Sequence, residues 1–385
     1  MKTYIVGGAV RDALLGYPVQ DRDYVVVGAT PDDMLAQGFL PVGKDFPVFL
    51  HPRTHDEYAL ARTERKTAAG YKGFVFHTDA DVTLEQDLIR RDLSINAMAQ
   101  DDDGHIIDPY GGLQDLKNRV FRHVSLAFCE DPVRILRLAR FAARFAVPPQ
   151  DFSVAEETTT LMQKMVAAGE VDALVAERVW QEISRGLMEV RPSRMFDVLR
   201  SCGALQRLLP EIDALPEAQI QHLMQLLDAS AKADLPLSAR YAVLLHHLSD
   251  TSDKDRVKLA DAVSQRLKVP AECRDLAILL AREHLTINQA GSMTPADIVD
   301  LFGRCDAYRK PERFLEALTA TASLYARPGM ADTYQPVQIL QRALSLVQQV
   351  KGGDIASQYA SQPQQIPLAI RAARIAMLEA AQYKT

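Results

Sequence analysis

The chain has 385 residues, 48% hydrophobic and 24% charged, with a net charge of −6 at pH 7. That balance excludes collagen-like and wholly disordered chains, and the length suits two or three domains, each able to bury a core. Met1 to Gly8 is too short an apolar run for a signal peptide, and no stretch approaches the roughly 18 apolar residues of a membrane span.

The first 125 or so residues alternate short β-rich runs with turns. Strands are expected at Tyr4 to Val6, Tyr24 to Val27, Phe46 to Leu50, Glu57 to Ala61 and His105 to Ile107, the last after an Asp103-Gly104 turn. Helical patterns over about 9–16, 31–37, 84–99 and 112–118 complete an α/β or α+β unit. From Asp131 onward the strand signals give way to amphipathic helices, beginning with Asp131-Pro132 as N-cap and first helical residue. Seams are expected near 126–130 and 210–218, and a Gly-, Ser-, Gln- and Pro-containing stretch at 351–366 sets off the last helix. Cys129, Cys202, Cys273 and Cys305 are scattered with no C-x-x-C pair, which suits reduced thiols in a cytoplasmic protein.

Three constellations carry chemistry. Gly7-Gly8-Ala9-Val10-Arg11-Asp12 follows a strand and opens a helix, where backbone amides approach a phosphate and Arg11 can clamp an oxygen. Just downstream, Asp21-Arg22-Asp23 leads into a strand, and carboxylates two residues apart on a strand project together. Such a pair repels itself unless a cation sits between, and hard oxygen ligands suit Mg²⁺ carried with a nucleotide's phosphates. Gly-Gly followed by Asp-x-Asp at this spacing points to a nucleotidyltransferase site.

The second constellation is Arg90-Arg91-Asp92 before Leu93 to Ala99; one of its arginines can reach triphosphate oxygens, or the group is surface charge. The third is Glu130-Asp131-Pro132-Val133-Arg134. At about 100° per residue Arg134, Arg137, Arg140 and Arg144 form one row beside an apolar stripe of Ile135, Leu138, Ala142 and Phe145. Cytosine and adenine both offer an amino donor beside a ring-nitrogen acceptor. Asp131 accepting and Arg134 donating would therefore admit C and A and refuse U and G.

Together these residues resemble the bacterial class II CCA-adding enzymes, the tRNA nucleotidyltransferases. The likeness runs through Gly7-Gly8-x-x-Arg11-Asp12, Asp21-x-Asp23, Arg62 to Lys66, Arg90-Arg91-Asp92-x-x-Ile95-Asn96-Ala97, Ile107 to Gly112, Glu130-Asp131-x-x-Arg134, Arg178 to Glu182 and Cys202 to Leu205. The resemblance implies a polymerase-beta-like α+β head over 1–126, a mixed sheet with flanking helices. It also implies a helical neck over 127–214 and an all-α body and tail over 215–385. It implies addition of C, C and A to the tRNA 3′ end from CTP and ATP, with Mg²⁺ as cofactor and no membrane partner. Asp21 and Asp23 would hold the Mg²⁺. Gly8, Arg11 and Arg91 would contact the nucleotide, Asp131 and Arg134 would select the base, and Arg137 and Arg140 would complete the nucleotide site. Glu57 is a candidate third carboxylate, and 62–81 is similar to the family's flexible loop for switching from C to A. Nothing in the sequence fixes an oligomeric state.

Many relatives carry a C-terminal HD phosphohydrolase domain. Here the corresponding run is Leu244-Leu245-His246-His247-Leu248-Ser249-Asp250, with His247 where the Asp should stand and a shortened stretch after Asp213. A helical scaffold without the HD metal site is expected, with His222, His246, His247 and His284 in the core or at the surface. Arg185, Arg191, Arg194, Arg200 and Arg207 are candidates to track tRNA phosphates. A poly(A) polymerase of the same superfamily and an inactive tRNA-binding descendant are the alternative readings.

Overall fold

The computed structural model describes residues 1–42, 48–66, 74–77, 80–147, 151–326, 330 and 333–381. They form two compact units, one of Met1–Glu182 with Arg194–Leu208 and one of Ile183–Ser193 with Leu209 onward.

The first unit begins with β1 (Lys2–Val6), α1 (Gly8–Leu15), β2 (Asp23–Val27), α2 (Pro31–Ala36), β3 (Leu40–Val42), β4 (Val48–Leu50) and β5 (Glu57–Leu60). There follow β6 (Thr63–Lys66), β7 (Phe74–His77), α3 (Leu84–Leu88), β8 (Ala99–Gln100), β9 (Ile106–Ile107) and α4 (Gly112–Asn118). The sheet runs β3-β4-β5-β2-β1-β8-β9 and is mixed, with β2 parallel to β5 and the other pairs antiparallel. Alternation along β2 builds both faces of the head. Val25 joins Val6, Leu84, Leu88 and Ala97 on one side, while Val26 joins Met34, Phe39, Phe49 and Leu60 on the other. Thr30 and Thr83 start α2 and α3, each with a capping box that satisfies two exposed amides.

Beyond the sheet lie β10 (Val120–Phe121), α5 (Val133–Arg144), β11 (Ser153–Val154), α6 (Glu156–Ala167), α7 (Ala176–Leu187), α8 (Ser193–Ser201) and α9 (Ala204–Leu208). Helix α5 starts at Val133, whose amide donates to Asp131 Oδ1 at 3.2 Å. The second unit is helical and centres on the helices over Leu237–Leu245, Ala271–Asn288 and Pro311–Tyr325, around the fully buried Tyr241, whose hydroxyl lies 2.9 Å from Ser264 Oγ. Among the described residues no helix is long and apolar enough to cross a membrane.

Two expectations change. The pattern over 84–99 is not one helix: α3 stops at Leu88, Ser94–Asn96 is a 3₁₀ turn, and Ala99 pairs with Val6 in the sheet. The chain leaves the helix because Asp92 Oδ1 takes the Leu93 amide at 2.9 Å and the Ser94 amide goes to the Arg122 carbonyl at 2.9 Å. Leu93, Ile95, Ala97, Met98 and Ala99 are all buried, so a continuous apolar run mimicked a helical stripe. Strand signals also persist past Asp131, since β11 pairs in parallel with β10. Of the stretch read as a flexible loop, β6 and β7 pair as an antiparallel ribbon, while 67–73 and 78–79 lie outside the described residues.

Candidate active site

Strand register assembles the site. Asp23 is the partner of Val6 in β1, the residue before Gly7-Gly8, and of Glu57 in β5. The glycine turn, the second carboxylate of Asp21-x-Asp23 and the candidate third carboxylate thus occupy adjacent positions on three neighbouring strands. Asp21 lies just before β2 rather than on it, yet close enough that its charge acts on Asp23. Burial, and then Asp21, push the Asp23 carboxyl above the usual carboxylate range, while Arg91 pulls it down. Its side chain still reaches solvent, so the burial is that of a recess in the surface. An oxygen-binding cation suits a pair whose second ionisation is opposed in this way.

Gly7 has φ 68° and ψ −123°, a conformation close to glycine-only, and a Cβ there would lie 2.8 Å from Arg91 Nη1. The missing side chain is therefore what lets Arg91 lie over the turn. Arg91 is held by Asp87, Nη2 to Oδ2 at 3.3 Å, while its buried Nε–H has no protein acceptor. A phosphate oxygen is the kind of acceptor such a donor lacks. Asp87 itself is 1% exposed and also takes Arg90 and the Arg62 amide, which tie Arg90-Arg91 to the segment after β5.

Arg11 is placed differently from a free phosphate clamp. It is 3% exposed, donates to Asp12 Oδ1 at 2.8 Å and Asn96 Oδ1 at 2.5 Å, and lies over the Phe141 and Phe145 rings at 4.8 and 5.1 Å. Desolvation lowers its pKa, against the pull of Asp12. Gly8 lies near it, a Cβ there meeting Arg11 Nη2 at 3.5 Å.

The arginine row of α5 is not a freely solvated face. Arg137 Nε donates to Asp92 Oδ2 at 3.0 Å, Arg140 Nε to Glu182 Oε2 at 2.7 Å and Arg144 Nη2 to Asp12 Oδ2 at 2.8 Å. Arg134 Nη1 donates to the Ala127 carbonyl at 2.9 Å. The helix is enclosed on nearly every side, and each of Arg137, Arg140 and Arg144 has a carboxylate from another segment. Asp92 is the hub of this network: it takes Asn96 Nδ2 at 2.8 Å as well as Arg137, and Asn96 in turn receives Arg11. Burial pushes the Asp92 carboxyl up, but Arg137, Asn96 and Arg134 together bring it down to about 2. Asp131 is gripped by both terminal nitrogens of Arg178, at 3.0 and 2.7 Å.

Sequence reasoning missed these partners. Asp12 stood unassigned inside the Gly-Gly run, and Asp92 with Asn96 and Arg178 with Glu182 carry the four-residue spacing of side chains on one helical face. Among the described residues one group of three metal-ligating side chains converges, Asp101, Asp103 and His105 on the β8–β9 turn. There Asp101 Oδ1 already accepts the Asp103 and His105 amides at 3.1 and 2.8 Å, the bonds of the turn itself. Of the basic candidates for RNA contact, Arg191, Arg194 and Arg207 pair with Asp228, Asp197 and Asp172, and Arg185, Arg200 and Arg207 are exposed.

The second unit gathers three of the four histidines named above. The His246, His247 and His284 rings lie 5.1 to 5.9 Å apart. His246 Nδ1 bonds the Val243 carbonyl at 2.7 Å, His284 Nδ1 the Tyr325 hydroxyl at 2.6 Å, and His247 Nε2 pairs with Asp250 at 2.6 Å. Burial lowers His246 to about 4 and, with its histidine neighbours, His284 to about 2.

The chain matches two protein families, "Poly A polymerase head domain" over residues 3–122 and "Probable RNA and SrmB- binding site of polymerase A" over 151–215. It is 60% identical to the multifunctional CCA protein of Janthinobacterium sp. (strain Marseille), covering 99% of this chain and 98% of that one. This chain belongs to the bacterial multifunctional CCA protein family. The protein of that name from Herminiimonas arsenicoxydans is 58% identical, covering 97% of each chain. In fold the chain is similar to the Bacillus stearothermophilus CCA-adding enzyme solved with CTP, with a TM-score of 0.69, 24% identity and coverage of 98% of this chain and 88% of that one. The Thermotoga maritima enzyme complexed with tRNA gives 0.61 and 22%, covering 90% and 78%. An N-terminal mixed-sheet head followed by a long helical region is the architecture of the CCA-adding family.

Proposed function

We propose that the chain is a CCA tRNA nucleotidyltransferase whose head uses Asp21 and Asp23 to add C, C and A in turn to the tRNA 3′ end from CTP and ATP. The observation that carries this reading is the register that sets Asp23 between the Gly7-Gly8 turn and Glu57, with Arg91 lying over the same turn and its charge acting on Asp23.

In each cycle the 3′-hydroxyl gives up its proton to solvent and its oxygen forms a bond to the nucleotide's α-phosphorus, while the bond from that phosphorus to the bridging oxygen breaks and pyrophosphate leaves. Asp21 and Asp23, with Glu57 as a third candidate ligand, would hold Mg²⁺. When bound, Mg²⁺ lowers the pKa of the attacking hydroxyl and neutralises charge on the departing pyrophosphate. The Gly8 region and Arg91 bind phosphate oxygens, with Arg11 fixing the turn from beneath. Asp131 accepts from the exocyclic amino group of C or A and Arg134 donates to the ring nitrogen, while Arg137 and Arg140 brace the helix that carries the pair. A cytoplasmic location follows from a tRNA substrate.

Nucleotide choice tests this reading. CTP alone should extend tRNA lacking its CCA end by two residues and stop, and UTP and GTP should give nothing. A ladder of A from ATP alone would move the protein to poly(A) polymerase, and tRNA binding without incorporation would mark a binding protein.

We further propose that the second unit performs no phosphohydrolysis. His247 stands where the HD carboxylate belongs and pairs with Asp250, while its neighbours His246 and His284 bond to Val243 and Tyr325. An alignment of 412 positions against 385 residues leaves at least 27 where the Janthinobacterium relative has a residue and this chain has none. Hydrolysis of a chromogenic phosphodiester with Ni²⁺ or Co²⁺ is expected at background rate. A signal above background that is lost in His247→Ala would overturn this.

A further inference from the structure

Arg178 and Glu182 stand one turn apart on α7, and each closes on the segment that carries the base-reading pair. Arg178 Nη1 and Nη2 donate to Asp131 Oδ1 and Oδ2 at 3.0 and 2.7 Å, and Glu182 Oε2 accepts from Arg140 Nε at 2.7 Å. The Val133 amide adds a third donor on Asp131 Oδ1. We propose that Arg178 is a specificity-determining positioning residue, which fixes the plane of the Asp131 carboxylate so that the lone pair left on Oδ2 faces the incoming base. This inference rests on the reading of Asp131 and Arg134 as the base-edge pair.

The reason is torsional. The terminal torsion of an aspartate is broad and nearly two-fold, so an untethered carboxylate presents its oxygens over a wide arc. Telling an amino donor from a carbonyl acceptor requires an acceptor in a fixed direction, because a carboxylate free to swing lets a water bridge it to the wrong base. A guanidinium fork holds both oxygens in its own plane, which a lysine's single ammonium cannot do, and with the Val133 amide also on Oδ1 it leaves a further lone pair on Oδ2. The Arg178 and Asp131 side chains are 25% and 21% exposed, so the pair is sheltered yet open enough for a base to reach the carboxylate. Glu182 anchors the same arrangement lower down, since its bond to Arg140 sets the spacing between α7 and α5.

The test measures kcat/KM for CTP, ATP, UTP and GTP on tRNA lacking CCA or ending in CC, in the full chain with Arg178→Lys, Arg178→Gln and Asp131→Ala, and follows each variant's folding by circular dichroism. Both Arg178 variants should lower the preference for CTP and ATP over UTP and GTP by about 10- to 100-fold, with a smaller fall in kcat for CTP. An equal loss for all four nucleotides, or an unchanged preference, while Asp131→Ala relaxes selectivity, would overturn the inference and leave the base-reading pair standing. Selectivity unaffected in Asp131→Ala would remove the base-reading pair and this inference with it. Should Arg178→Gln fail to fold, Arg178→Lys, which keeps the charge, decides alone.

Discussion

Asp21→Ala and Asp23→Ala are each expected to lower nucleotide incorporation on the order of 10³-fold or more, with tRNA binding retained. Losing the carboxylates removes several kcal/mol of charge stabilisation at the attacking and leaving oxygens. The tRNA is held mainly by backbone contacts elsewhere. Incorporation rates at saturating tRNA, set beside a filter-binding measurement, separate the two effects. Asp23→Asn carries a second expectation with the opposite sign. The folded protein raises the Asp23 pKa, chiefly by burial, so its ionised form is disfavoured relative to the unfolded chain. That cost is absent below the unfolded pKa and complete above the folded one. Asp23→Asn should therefore melt slightly higher than the parent at neutral pH while remaining inactive, and a lower melting temperature would contradict the electrostatic description of the site.

Asp92→Ala should have the largest effect on stability. Asp92 is buried and joins Arg137 on α5 to Asn96, which in turn holds Arg11. Removing one partner of an enclosed ion pair costs about 3–5 kcal/mol. Here about 2–3 kcal/mol is expected, because the Arg137 side chain is 38% exposed and regains water. The pH dependence has a fixed sign. With the folded pKa down at about 2, the Asp92 contribution is fully present above the unfolded value and is lost as pH falls toward 2. Urea midpoints measured from pH 7 down to pH 3 should show a shallower acid slope in Asp92→Asn than in the parent. An unchanged slope would mean that the hub does not hold the network. Incorporation should also fall, since Arg137 and Arg11 lose a common anchor.

What the sequence disclosed and what it withheld have separate physical causes. Gly7-Gly8, the closeness of Asp21 to Asp23 and, to within one residue, the start of α5 are local signals, set by backbone freedom and by short spacing along the chain, although Asp21 lies before β2 and α5 begins at Val133 rather than Pro132. Register is not local: that Glu57 pairs across from Asp23 depends on a parallel β2–β5 contact with β3 and β4 intervening. The arginine row of α5 was visible as a row, but its engagement depends on carboxylates distant in sequence, Asp12, Asp92 and Glu182. An amphipathic wheel separates charged from apolar faces and cannot tell a solvated charged face from one buried against paired carboxylates. The departure from helix after Leu88 was hidden for a related reason, because the segment from Asp92 to Ala99 is buried throughout and has no polar face to reveal its period.

The most direct measurement is the 3′-end sequence of products made by the purified chain on tRNA lacking CCA, with Mg²⁺, CTP and ATP together, beside the Asp21→Ala and Asp23→Ala variants. Ends reading C, C, A that stop at the third residue, and that are missing in both variants, are the expected result. Runs of A, added U or G, or activity that survives the loss of either carboxylate would contradict a head built around Asp21 and Asp23 with base choice made by Asp131 and Arg134.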